Sequence, residues 1–356
     1  MARPRAGAAH HTGAGGGRAG RQGGRRPARR GNRVSADLDN LPGSIRIVEV
    51  GLRDGLQAVP EPLRTEDKVD LVYQLVEAGL REIEAVSFAH PKVLPQLADA
   101  AEVMAVVPRC GDVTYRGLVP NLRGAQRAAD CGLDEIVVVV SADEEVSVRN
   151  QNRTVAQMLA ELDGIGQVAA DCGARLIVGV ACAFFAPARG PVTNAETDRV
   201  VDAAVAAGAG GVYLAGTSGV EHPGEFAAGI ARVRRRYPGL QVGVHLHDRN
   251  GFAMANALAA MAAGADWLEG SFAGLGGDLW FPGDPTVLGN APVEDLLHLC
   301  ASMGVETGVN LDRYLKVVDR VVALTGRPAT SFVTRGGSRA QLARASWAVA
   351  TRQATC

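Results

Sequence analysis

The sequence predicts an α/β fold: one (β/α)8 TIM barrel with an extra C-terminal helix and a disordered N-terminal tail. Three observations carry that expectation. From Ile45 onward, eight short β-rich runs alternate with longer Ala-, Leu- and Val-rich stretches of helical period, the pattern of a parallel sheet covered by helices. The helical stretches repeatedly end in an Ala-Gly or Cys-Gly pair, as a left-handed C-cap requires. No G-x-G-x-x-G follows the first run, so an open dinucleotide-binding sheet has no support, and eight repeats of one unit close more naturally into a barrel.

The first 36 residues hold nine Arg and no acid, leaving 28 Lys and Arg against 38 Asp and Glu in the rest. This segment has almost no large apolar residue to offset the entropy of ordering it, so residues 1–40 are expected to form a disordered basic tail. An overextended or inert tail is preferred here over a transit peptide or a nucleic-acid contact. The barrel is expected over residues 41–325, with a weakly ordered remainder at 326–356. A chain of 356 residues with 47% hydrophobic content suits a single barrel.

The strand candidates are Ile45–Val50, Glu82–Val86, Val113–Val119, Glu135–Val140, Leu176–Val180, Gly211–Leu214, Gln241–His245 and Trp267–Gly270. Helical stretches between them include Thr65–Ala78, Thr154–Cys172, Asn194–Ala207 and Gly251–Ala263, with Gly79, Gly132, Gly173, Gly208 and Gly264 as the expected caps. Residues from Pro292 to Ala323 read as the last barrel helix plus the extra one. No apolar run approaches the ~20 residues of a spanning helix and no signal peptide is evident, so a soluble cytoplasmic protein with no membrane partner is expected. The six cysteines lack C-x-x-C spacing and read as reduced thiols, mostly in core segments.

Barrel chemistry sits where strands end. The first strand delivers Arg53 and Asp54, a cation and a carboxylate able to stabilise an oxyanion and hold a metal, although Arg-Asp-Gly is also ordinary turn chemistry. In the seventh strand His245 and His247 are two residues apart and point to one face, half of a divalent-metal site that a hard carboxylate completes. The eighth strand runs into a long glycine-rich loop, Ser271 to Asn290, of the kind that cradles phosphates or closes over substrate. Strands one, seven and eight are neighbours in a closed barrel, so Asp54, His245, His247 and Asn290 can reach one ion.

Val48 to Gln57 (VEVGLRDGLQ), Glu82 to Phe88 (EIEAVSF), His245 to Asp248 (HLHD) and Ala273 to Gly277 (AGLGG) together resemble the 3-hydroxy-3-methylglutaryl-CoA lyase family of metal-dependent lyase and synthase barrels. The likeness runs from about Ile45 to Asn310, with the motifs in order on the expected strands. It implies cleavage of a tertiary 3-hydroxyacyl-CoA to acetyl-CoA and an oxo acid. It further implies Mg2+ or Mn2+ on Asp54, His245, His247 and Asn290, because a tertiary alkoxide is out of reach near neutrality without a metal. Arg53 would stabilise the enolate oxygen, Glu84 would place Arg53 or the substrate, and Gln57, Gly276 and Gly277 would line the substrate site.

Three positions depart from the family. Asp278 stands where the lyases carry a cysteine after Gly-Leu-Gly-Gly, Ala215-Gly-Thr217 replaces Gly-Asp-Thr, and Ala58-Val-Pro60 replaces a stretch with a lysine. Asp278 is either a proton donor or base with a raised pKa, or a loop carboxylate without a role. Trp280 and Phe281 either reshape the pocket or pack the loop, and His90 and Lys92 share the rim or only face solvent. The leading expectation is a carbon–carbon lyase acting on an acyl-CoA or oxo-acid substrate. The alternatives are a condensing enzyme or aldolase using a 2-oxo acid at the same metal, and a non-catalytic barrel. A homodimer remains an open expectation.

Overall fold

The computed structural model describes residues 40–277, 281–284, 287 and 289–346. The expectations placed on the basic tail before residue 40, on Asp278, Trp280 and Cys356, lie outside these residues.

Apolar, β-branched runs form eight parallel strands: β1 (Arg46–Glu49), β2 (Glu82–Ser87), β3 (Thr114–Leu118), β4 (Glu135–Ser141), β5 (Arg175–Ala181), β8 (Gly211–Gly216), β9 (Gln241–Leu246) and β10 (Trp267–Gly270). They close into a barrel in the order β1-β2-β3-β4-β5-β8-β9-β10 and back to β1. Val48 marks the closure, pairing with Glu82 on one side and Glu269 on the other. Between β5 and β8 lies a small antiparallel hairpin, β6 (Phe185–Ala186) with β7 (Gly190–Pro191), which the sequence pattern did not indicate. Strands of two residues have no period to read.

The outer layer consists of α1 (Thr65–Glu77), α2 (Ala100–Val106), α3 (Leu122–Ala128), α4 (Glu144–Gln151), α5 (Val155–Asp171), α6 (Asn194–Ala206), α7 (Pro223–Arg236), α8 (Ala253–Ala262) and α9 (Val293–Met303). Local chemistry fixes their starts: Thr154 with Gln157 and Thr193 with Glu196 form capping boxes, each satisfying two otherwise unpaired backbone donors. The five expected C-cap glycines all have positive φ. At Gly79 a side chain is excluded twice over, since φ is +101° and a Cβ would lie 2.3 Å from the Gly308 carbonyl oxygen.

After α9 come the expected extra helix α10 (Leu311–Thr325) and two short ones, α11 (Phe332–Gly336) and α12 (Arg339–Arg344). Residues 327–346 thus carry two short helices that the Arg-rich composition did not indicate. Asp295 of α9 accepts the Phe332 and Val333 backbone N–H groups, each at 2.8 Å, and Val333 is buried. That anchorage is long-range and leaves no local sequence signal.

The core has two shells. Leu71, Leu75, Ile83, Leu162, Ile230 and Leu268 fill the space between strands and helices. Val48, Val137, Ile177, Tyr213 and Trp267 pack inside the barrel. Below them is a charged floor: the buried Arg116 guanidinium forms ion pairs with Glu82 at 2.7 Å, Glu135 at 2.5 Å and Glu269 at 2.9 Å, and lies 5.1 Å from the centroid of the Trp267 ring. A charge this deep is tolerable only when so thoroughly paired. The cysteines are less buried than their setting suggested: Cys182 and Cys300 are buried, Cys131 is half-buried, and Cys110 and Cys172 are exposed. Cys131 and Cys172 occupy helix ends just before a left-handed glycine, where the chain turns at the surface. Among the described residues no helix is long and apolar enough to cross a membrane.

Candidate metal centre and active site

β1 ends in a single turn of π-helix, Gly51–Gly55, rather than an ordinary turn. Glu49 shapes it. One carboxyl oxygen accepts Gly51 N–H at 2.7 Å and Phe272 N–H at 2.9 Å, and the other meets the Tyr314 hydroxyl. Burial outweighs these bonds and pushes the Glu49 pKa up to about 8, so the group is mostly protonated at neutral pH. A Cβ on Gly51 would lie 2.5 Å from that carboxyl, which explains why only glycine fits there.

The turn places Arg53 and Asp54 side by side on the rim, with Nη1 of Arg53 at 2.5 Å from Asp54 Oδ1. Arg53 Nε also donates to Glu84 on β2, and both partners are buried. The bonds to Glu84 and Asp54 use Nε and Nη1 of Arg53, and the residue borders a cavity at the rim. Burial opposes the charge on Arg53, but Glu84 and Asp54 overcome it and keep the guanidinium charged. Burial likewise works against the Asp54 carboxylate, yet Arg53, the two histidines and Asn290 hold its pKa well below the usual range.

His245 and His247 face the same point from β9 and the residue beyond it. Their Nε2 atoms are 3.1 Å apart, and each Nδ1 is engaged from behind: His245 with Glu269 Oε2 at 3.2 Å, His247 with the Thr217 carbonyl oxygen at 2.7 Å. These rear acceptors place the proton on Nδ1 and turn both Nε2 lone pairs toward each other. Two facing lone pairs repel unless a cation or a proton lies between them. Two cis ligands of an octahedral ion at ~2.1 Å would sit roughly 3 Å apart, so the spacing fits a divalent metal. One ligand atom each from Asp54, His245 and His247 lies within 4.8 Å of the others. A divalent-metal site is therefore present.

Asn290 lies against Asp54 of this cluster. Its Nδ2 donates to Asp54 Oδ2 at 2.5 Å and to the Leu275 carbonyl at 2.8 Å, while its buried Oδ1 has no hydrogen-bond partner. An unpartnered amide oxygen beside this cluster is the donor a hard cation uses. Burial and the neighbouring His245 lower the His247 pKa to about 4. Burial also opposes charge on His245, but bonded Glu269 and nearby Asp54 outweigh it and raise the pKa.

A cavity of about 480 Å³ opens beside the cluster, bordered by Arg53, Asp54, Gln57, Tyr213, His245 and His247, with an apolar wall including Leu118 and Val139. Gln57 lies where a substrate-binding residue is expected. Gly276 and Gly277 do not border the cavity; they pack on Asp54 instead. A Cβ on Gly276 would lie 2.4 Å from Asn290 Nδ2, and Gly277 N–H reaches Asp54 Oδ2 at 3.4 Å. At Gly276 the loop backbone presses so closely on the carboxylate that a side chain has no room. Glu84 is fully buried behind Arg53 and supports it rather than touching the cavity. Phe281 is buried with Val146, Cys182 and Ala186, so it packs the loop down. His90 borders the cavity mouth, whereas Lys92 is exposed away from it.

Sequence reasoning missed Glu49, Thr217, Glu269 and Tyr213. Glu269, a carboxylate inside an apolar strand, carried the clearest available signal, because a charge at an inward strand position demands a partner.

Residues 44–321 match the family designated HMGL-like. The mitochondrial hydroxymethylglutaryl-CoA lyase of Macaca fascicularis is 33% identical over 301 residues, covering 85% of this chain and 92% of that relative. The solved structure of hydroxymethylglutaryl-CoA lyase from Pseudomonas aeruginosa is similar with a TM-score of 0.78 at 33% identity, covering 86% of this chain and 100% of that one. An HMG-CoA lyase from Acinetobacter baumannii, solved in complex with coenzyme A and 3-methylmalate, has a TM-score of 0.78 at 32% identity and covers 83% and 96%.

Proposed function

The chain belongs to the HMGL-like family, and from that premise we propose that it is a metal-dependent carbon–carbon lyase cleaving a 3-hydroxy-3-methylglutaryl-CoA-like thioester to acetyl-CoA and an oxo acid. The observation that carries the reading is the pair of Nε2 atoms facing each other at 3.1 Å beside a buried carboxylate. Asp54, His245, His247 and Asn290 would hold Mg2+ or Mn2+; an oxygen-rich set with two imidazoles suits either. The bound cation would supply Lewis acidity, bringing the tertiary hydroxyl within reach of deprotonation.

In the reaction the C2–C3 bond breaks, the hydroxyl proton leaves, C3–O becomes the carbonyl of the oxo acid, and the electron pair passes to C2 as a thioester enolate. Reprotonation of C2 gives acetyl-CoA. Arg53 is held by Glu84 and Asp54 through Nε and Nη1 and borders the cavity, which suits it to receive the enolate oxygen as negative charge develops. Gln57 orients the substrate from the cavity rim, and the apolar wall at Leu118 and Val139 excludes water from the carbanion. Asp278 stands in for the loop cysteine as the proposed proton carrier to C2, the preceding residue already contacting Asp54.

The test follows release of oxo acid and acetyl-CoA from 3-hydroxy-3-methylglutaryl-CoA and its branched analogues. Treatment with EDTA should abolish turnover and added Mn2+ or Mg2+ should restore it. A metal-free preparation with full activity would refute the reading, as would a metal-loaded one that cleaves none of these thioesters.

A further inference from the structure

β8 ends at Gly216, where the family resemblance leads one to expect an acid. The structure shows why an acid does not fit there. A Cβ at this position would lie 2.7 Å from Phe226 Cζ and 3.2 Å from Oε2 of Glu221. The neighbourhood therefore already contains a carboxylate, delivered from five residues farther along the chain.

Glu221 is 1% exposed, on the turn between β8 and α7. Its backbone oxygen is held by Asn256 Nδ2 of α8 at 2.8 Å, which fixes the turn. Its Oε1 accepts Ser218 N–H at 3.1 Å, and its Oε2 is buried with no hydrogen-bond partner. That Ser218 N–H belongs to the same amide group as the Thr217 carbonyl, whose oxygen takes the His247 Nδ1 proton at 2.7 Å. Carboxylate, amide and imidazole thus form one chain. Both imidazoles of the metal cluster are backed by a buried carboxylate: His245 by Glu269 directly, His247 by Glu221 through one amide.

We propose that Glu221 replaces the carboxylate missing at Gly216 and serves as a positioning residue for His247, polarising the Thr217–Ser218 amide so that Nε2 binds a divalent cation more tightly. An amide that donates to an anion becomes a stronger acceptor at its carbonyl end, and a stronger acceptor on Nδ1–H makes the opposite nitrogen more basic. The inference rests on the metal-site reading above. Burial pushes the Glu221 pKa up to about 7, so the charged form predominates at mildly alkaline pH.

The experiment uses the full chain at pH 8.5 and compares wild type with Glu221→Gln, which keeps an oxygen for Ser218 N–H and removes the charge. The His247 Nδ1–H proton resonance, read by NMR on metal-free protein, should move upfield. The Kd for Mn2+ should rise roughly 3- to 10-fold, less than the ~10–100-fold typical of outer groups bonded directly to a ligand. Glu225→Gln, which removes a nearby charge from α7 without touching the amide, should change neither quantity. Glu221→Asp keeps the charge but withdraws it; it should give a smaller shift of the same sign and decides the matter should the Gln variant fail to fold. An unchanged resonance and Kd in Glu221→Gln would overturn the proposal, and so would equal effects from Glu225→Gln. Absence of Mn2+ binding to wild type would instead overturn the metal site, leaving the NMR comparison to judge the relay by itself.

Discussion

Replacing Glu49 with Gln should remove a large share of the protein's pH-dependent stability without disturbing the turn that presents Arg53 and Asp54. Glu49 is fully buried, and its pKa rises from 4.5 in the unfolded chain to about 8 in the fold, chiefly through desolvation. Between those values the folded state binds the proton and the unfolded state does not, so stability falls as pH rises. The contribution is complete below about pH 4.5 and lost as pH passes about 8. At 1.36 kcal/mol per unit, the loss between pH 5.5 and 8.5 is about 3 kcal/mol. Gln reproduces the protonated pattern: its oxygen accepts from Gly51 and Phe272, and its NH2 donates to the Tyr314 hydroxyl oxygen. The assay is urea unfolding of both proteins at pH 5.5 and 8.5. Glu221 and Glu294, each with a pKa near 7, titrate in both proteins, so the difference between the two pH responses isolates Glu49. The two should match within about 1 kcal/mol at pH 5.5, with the variant ahead by about 2–3 kcal/mol at pH 8.5. Parallel pH profiles would refute the reasoning, because they would mean that Glu49 is ionised in the fold throughout.

Glu84→Gln should leave the protein folded and metal-competent while lowering kcat about 100-fold with little change in KM, since it loosens the Arg53 guanidinium rather than removing a substrate contact; steady-state kinetics on the thioester checks this, and an unchanged kcat would remove Glu84 from the site's support. Gly243→Ala should cost roughly 3 kcal/mol or more. Its Cβ would lie 2.0 Å from Trp267 Cε2, in a ring held rigid by its bond to Glu269. A thermal scan that shows no loss would mean that the barrel floor yields more easily than this packing implies.

The barrel was legible because parallel strands buried on both faces read as apolar runs and helices end at glycine. All eight strand candidates, Ile45–Val50 through Trp267–Gly270, correspond to observed strands with ends shifted by up to two residues. The metal cluster was legible for a related reason: His-x-His on one strand keeps its side chains on one face whatever surrounds it. Residues acting on one another across the interior were not. Arg116 meets glutamates from three other strands, and Glu221 reaches His247 through a backbone amide, relations that no local period encodes. The loop glycines carry a second constraint that the sequence did not show: the missing side chain of Gly276 makes room for Asp54 and Asn290.

Barrel enzymes usually keep durability at one end and chemistry at the other, so that loops can be exchanged without endangering the scaffold. Glu269 breaches that partition. One of its oxygens belongs to the floor, taking Arg116 and the Trp267 indole N–H, and the other orients His245 at the rim. Substitutions tuned at either end of this barrel are therefore read at the other through a single side chain. A designer transplanting its rim onto a different scaffold would have to carry Glu269, Arg116 and Trp267 along with the ligands, because the ligand geometry is inherited from the foundations.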